Sequence, residues 1–71
     1  MKTAEQTVTE YVEKLKQKLR EGHRVIMSGE EIADIEVVRT LRTVRVHVVL
    51  KNGTEMLLPY YNFMSRQFEV E

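Results

Sequence analysis

Apolar residues at Ala4, Val8, Tyr11, Val12, Leu15 and Leu19 recur at spacings of three and four. That period lines one face of an α-helix, and it predicts a helix over 3–21. Thr3 followed three residues later by Gln6 is a capping box at its start. Glu5 stands near the start, and Lys16, Lys18 and Arg20 stand near the end, an order that complements the helix dipole. Gly22 is the expected stop, because glycine takes the left-handed conformation after a helix at little cost.

The period then shortens. Val44, Val46, Val48 and Leu50 alternate with Arg45, His47 and Val49, the two-residue repeat of a strand with one buried face. Asn52-Gly53 predicts a two-residue type I′ hairpin turn. Such a loop sets Lys51 opposite Thr54, Val49 opposite Met56, Val48 opposite Leu57 and Arg45 opposite Tyr60. One face would carry the four core residues with Leu57, Pro59 and Tyr61. The other would carry Arg45, His47, Val49, Met56, Leu58 and Tyr60. Pro59 lacks an N–H donor, so its strand ends there or lies at an edge. Arg45 facing Tyr60 would form a cation–π pair on the second face.

Elsewhere the pattern is weaker. Residues 24–27 read as a short strand, 28–34 as a polar connection with room for one helical turn capped by Ser28 and Glu31, and 35–38 as a strand. Residues 39–43 read as a loop or a bent continuation, 62–65 as a turn and 66–70 as a short strand. The expectation is an α+β single domain over 1–71. It has an N-terminal amphipathic helix packed on a four- or five-stranded antiparallel meander. An antiparallel sheet usually gives water a polar face, but the second face here is about half apolar. Either the sheet curls into a partly closed barrel, or a second copy covers Val49, Met56 and Leu58 as a dimer face.

With 71 residues there is room for one domain only. At 42% hydrophobic and 31% charged the chain reads as folded rather than disordered. The absence of cysteine removes disulfides, thiolate metal sites and cysteine nucleophiles. No apolar run is long enough for a signal peptide or a membrane span, so no membrane association and a cytoplasmic location are expected. A chain this small, without disulfides or a clear metal site, gains from oligomerisation, and a homodimer is expected.

The net charge of zero hides segregation. Residues 30–38 hold Glu30, Glu31, Asp34 and Glu36 with no base, while residues 39–54 hold Arg39, Arg42, Arg45 and Lys51 with no acid. The blocks either pair across neighbouring strands or leave a charged patch for a partner. His23 and His47 sit in no metalloprotease-type motif, the carboxylate pairs have no pocket to split their pKa values, and Ser28-Gly29 lacks the preceding glycine of a nucleophile elbow. The three glycines are scattered, so no phosphate loop exists. No enzyme, cofactor or metal is expected.

A helix leading into a small meander is broadly similar to Sm-like and SH3-like barrels. The segment Val44 to Leu57, with alternating valines and Asn52-Gly53, looks like the first Sm hairpin, but the glycine and aspartate that usually follow are missing. Two functions of different class follow from the residues. One is a small protein-interaction module or regulator, dimeric, that occludes a partner protein's surface, as accessory or phage-encoded inhibitors do. The other is a nucleic-acid-binding barrel with aromatics to stack and bases to grip phosphate. Arg39, Arg42, Arg45, His47, Lys51 and Tyr60 are the candidate contacts under either reading. The charge balance favours the first.

Overall fold

The computed structural model describes residues 3–71. Helix α1 (Ala4–Arg20) leads into strands β1 (Val25–Met27), β2 (Glu30–Arg39), β3 (Val44–Leu50) and β4 (Glu55–Pro59). A short helix α2 (Tyr60–Met64) and strand β5 (Phe68–Val70) complete the chain. The expected α+β class and the helix-on-antiparallel-sheet arrangement are what the structure contains.

Both ends of α1 form as the sequence requires. The Gln6 N–H donates to Thr3 Oγ1 at 3.1 Å, and the Thr3 N–H donates to Gln6 Oε1 at 3.0 Å. These two bonds satisfy donors that the first turn leaves free. At the other end Gly22 takes φ +89°. The Gly22 N–H then reaches the Leu19 carbonyl, and the His23 N–H the Lys18 carbonyl, the Schellman pattern. The stripe of Val8, Val12 and Leu15 is buried.

The stretch 28–34 is not a polar connection, and it holds no helical turn. Ser28 and Gly29 both have positive φ, 49° and 84°, and Met27 pairs with Glu30. This is a two-residue type I′ turn, so β2 begins at Glu30. The Ser28 N–H donates to the Gln67 carbonyl at 2.8 Å, which holds serine in a region that non-glycine residues seldom adopt. Strand β2 then runs for ten residues with an irregularity between Ile32 and Asp34. The extra residue lets Ile32 and Ile35 both reach the core although their spacing of three breaks strict alternation.

The β3–β4 hairpin forms in a register one residue from the expected one. Val46 faces Leu58, Val48 faces Met56, His47 faces Leu57 and Arg45 faces Pro59. Gly53 takes φ +93°, while Asn52 stays outside the positive region. A type I′ turn needs both residues positive, so it does not form. The Gly53 N–H donates to the Leu50 carbonyl and the Leu50 N–H to the Thr54 carbonyl, and Asn52 Oδ1 accepts from the Thr54 N–H. This is a three-residue loop with a glycine bulge. A one-residue slip turns every side chain of β4 over. Met56 and Leu58 therefore belong to the core face, and Leu57 belongs to the open one.

Strand β5 does not continue a meander. It lies against β1, with Val25 opposite Val70 and Met27 opposite Phe68, so the sheet order is β4-β3-β2-β1-β5. The sheet is open, with β4 and β5 at its edges. Helix α2 carries the chain across the bottom of the core and drops Phe63 into it, fully buried. Tyr11, Phe63 and Phe68 form a cluster with ring centroids 4.9–6.0 Å apart, Tyr11 edge-on to both phenylalanines and these tilted against each other. Tyr61, expected on the core face of the hairpin, is exposed instead, and Tyr11 of the helix supplies the third ring. Among the described residues neither helix is long and apolar enough to cross a membrane.

Candidate interaction surface

The basic block does not act as one patch. Arg39 lies at the end of β2 beside α1, where its guanidinium donates to Glu5 Oε1 at 2.8 Å and to Thr9 Oγ1 at 3.1 Å. It ties the helix to the sheet. Lys51 sits 2.7 Å from Glu31 Oε2, and Arg24 donates to Glu31 Oε1 at 2.6 Å and to Glu71 Oε1 at 2.8 Å. Hydrogen bonds from Lys51 first, then from Arg24, hold the Glu31 carboxyl below the usual carboxylate range. His47 lies 3.0 Å from Glu55 through Nε2, with Glu36 and Leu57 as its cross-strand neighbours. Among the described residues the acidic and basic blocks thus pair with each other only at Lys51–Glu31. Glu36 bonds instead to Lys16 of α1 at 3.1 Å.

Two arginines remain. Among the described residues, Arg42 and Arg45 make no ion pair or hydrogen bond through their side chains. Arg42 stands at the tip of the β2–β3 turn. That turn is held by a double threonine clasp. The Thr40 N–H donates to the Thr43 carbonyl at 2.9 Å, and the Thr43 N–H donates to Thr40 Oγ1 at 3.1 Å. Arg45 lies on the open face, with Val38 opposite it on β2 and Pro59 opposite it on β4. A shallow groove between them is lined by Thr40, Leu41, Arg42, Thr43 and Arg45.

The apolar members of this end were not expected from the sequence. Leu41 is fully exposed, at 106% of its reference area, and Val38 is partly exposed. Tyr60, expected to face Arg45, instead opens α2. Its ring meets Tyr61 edge-on at 5.7 Å, and the expected cation–π pair does not form. Both tyrosines are exposed, Tyr61 at 67%, because the strand stops at Pro59. The signal for Leu41 was present. It is an apolar residue in a turn that is otherwise Thr and Arg, with no glycine or proline to hide it.

The expected dimer face is corrected in the same way. Leu58 is buried and Met56 half-buried against the core, so neither lies on the open face. Val49 does lie there. The residues exposed on that face near β4 are Leu57, Glu55 and Arg45.

The His47–Glu55 pair resembles the base and orienter of a hydrolytic triad, but among the described residues the ring bonds to Glu55 alone. Among the described residues no hydroxyl is bonded to the ring. Among the described residues no group of three or more His, Asp or Glu converges as a metal site. Comparison with protein-family models, curated proteins and solved structures finds no match.

Proposed function

We propose that the chain is a small non-enzymatic protein-interaction module of the cytoplasm. It works as a homodimer and regulates a partner protein by occluding its surface, in the manner of an accessory or phage-encoded inhibitor. The observation that carries this reading is Leu41, fully exposed on a clasped turn in a groove shared with Arg42 and Arg45, which have no side-chain partner among the described residues. An aliphatic side chain gains by burial in a protein pocket, and arginine and tyrosine are the residues that dominate protein interfaces. The arginines call for a partner surface with acidic residues around an apolar pocket. Because the threonine clasp already orders the turn, little conformational entropy is lost on binding.

Nucleic-acid binding is the second reading, supported by the exposed Tyr60–Tyr61 pair. It ranks lower because Arg39, His47 and Lys51 are engaged within the fold. Two free arginines neutralise few phosphates, and phosphate neutralisation supplies most of such affinity.

The test uses the chain as bait in a cell extract, with and without nuclease. The double variant Leu41→Ser, Arg42→Glu is the control. A protein captured by the wild type, retained after nuclease and lost with a folded double variant supports the module. Capture that nuclease abolishes, and that weakens steeply with salt, replaces it with the nucleic-acid reading.

A further inference from the structure

We infer that two copies of the chain join by pairing β4 antiparallel with β4 of a second copy, about a two-fold axis at Leu57. The inference rests on the dimeric part of the proposal above and names its surface.

Strand β4 is an edge of the sheet. Its inner ladder is fixed by the Leu50 N–H on the Thr54 carbonyl and by the pairs Val48–Met56 and Val46–Leu58. Backbone groups alternate in direction along an antiparallel strand. Glu55, Leu57 and Pro59 therefore aim theirs outward, away from β3. Protein edges exposed in this way are normally blunted by charge at their centre. The centre here is Leu57, an apolar side chain 48% exposed. The other edge, β5, spans three residues with Glu69 at its centre and Glu71 directly after it, so it is already guarded.

Pairing centred on Leu57 is self-complementary at every position. Leu57 meets its own copy. Glu55 meets Pro59 of the second copy, and the Glu55 N–H donates to that proline's carbonyl. Proline's missing donor costs one bond at each end, leaving about four backbone hydrogen bonds in all. On the open face Arg45 stands beside Pro59, so the Glu55 of the second copy lands on the far side of that proline. The two Cα atoms are then roughly 10 Å apart, a span that an arginine and a glutamate cover together. Among the described residues Arg45 has no side-chain partner, and symmetry supplies the pair twice, through a Glu55 carboxylate that His47 meets at one oxygen. On the core face Met56 meets Leu58 of the second copy, which extends the apolar layer over the half-buried methionine. An edge of this length buries less than the ~1,200 Å² of a stable interface, so the dimer is concentration-dependent.

Sedimentation equilibrium on the full chain from about 10 μM to about 1 mM tests this. The expected mass rises from 8.4 kDa towards twice that value. Leu57→Lys, which sets like charges face to face, stays monomeric throughout. Arg45→Glu and Glu55→Arg each weaken association about tenfold, and the two together restore it. Circular dichroism confirms that each variant folds. Arg45 and Glu55 are both exposed, so the charge swap remains informative even where Leu57→Lys unfolds. A wild type that is monomeric at every concentration overturns the inference. So does a dimer indifferent to these variants, or an assembly larger than two. A monomer that still captures its partner through Leu41 and Arg42 overturns the dimer alone, while a dimer that captures nothing overturns only the partner-binding reading.

Discussion

Glu31 shows how one side chain joins three segments of this small fold. Its carboxylate accepts from Lys51 in the β3–β4 turn and from Arg24 ahead of β1, and Arg24 continues to Glu71 at the C-terminus. Its folded pKa is depressed, so the fold favours the ionised form. The stabilisation is fully present above the ordinary glutamate value of about 4.3 and is lost as pH falls through the folded value. Glu31→Gln should therefore lower Tm at pH 7, and the gap to wild type should close under acid. Lys51→Met should reproduce a weaker version of the same profile. A gap that persists unchanged at low pH would show that the carboxylate charge is not what matters. Phe63 makes the contrasting case. It is fully buried between α1 and the sheet, and Phe63→Ala removes about 3–5 kcal/mol. A domain of this size rarely holds more than that, so the variant should be unfolded by circular dichroism at room temperature.

At the scale of elements, the turns decided which parts of the fold could be read from the sequence. Helix α1 was legible down to its caps because Thr3, Gln6 and Gly22 act locally. The β3 core face was legible because its alternation is strict. The register of β4 was not, since Asn-Gly serves two loop geometries and only φ at Asn52 separates them. That separation makes a prediction. In a type I′ turn Asn52→Gly would be neutral or favourable. Here it removes the bond to the Thr54 N–H and adds chain entropy with no strain to relieve, so it should cost roughly 0.5–1 kcal/mol. Gly29→Ala should cost roughly 1–2 kcal/mol, because φ is +84° at that position. Chemical denaturation measures both. The start of β2 was hidden because Glu30 and Glu31 look like loop residues, although their backbone is strand and the Glu31 carboxylate binds Arg24 and Lys51. Helix α2 was hidden because Tyr60 and Tyr61 carry strand propensity, and the break at Pro59 overrode it. The interaction surface was half legible. Arg42 and Arg45 were among six candidates, but their freedom depends on where Arg39, His47 and Lys51 find partners, and pairing across the fold is not written in local spacing.

For the molecule as a whole, the open sheet leaves a tension between size and stability. The core is one apolar layer between α1 and the sheet, with α2 closing one end. The open face keeps Val49 and Leu57 beside charged neighbours, and the β4 edge is unpaired. A 71-residue chain buries only ~60% of its unfolded surface, so a second copy on β4 would add stability where the monomer has least to spare. Mass action makes that coupling measurable without reference to any partner. A species that associates when folded and not when unfolded gains stability with concentration. The wild-type Tm should then rise by several degrees between about 10 μM and about 1 mM, given that 1 kcal/mol moves Tm by ~4–8 °C in a domain of this size. Leu57→Lys should match the wild type at the dilute end and stay flat, because it alters the association and leaves the buried core untouched. Leu41→Ser should follow the wild-type curve throughout, since Leu41 touches neither core nor edge. Calorimetry on the three proteins separates the two surfaces, and a wild-type Tm independent of concentration would mean that the fold stands alone.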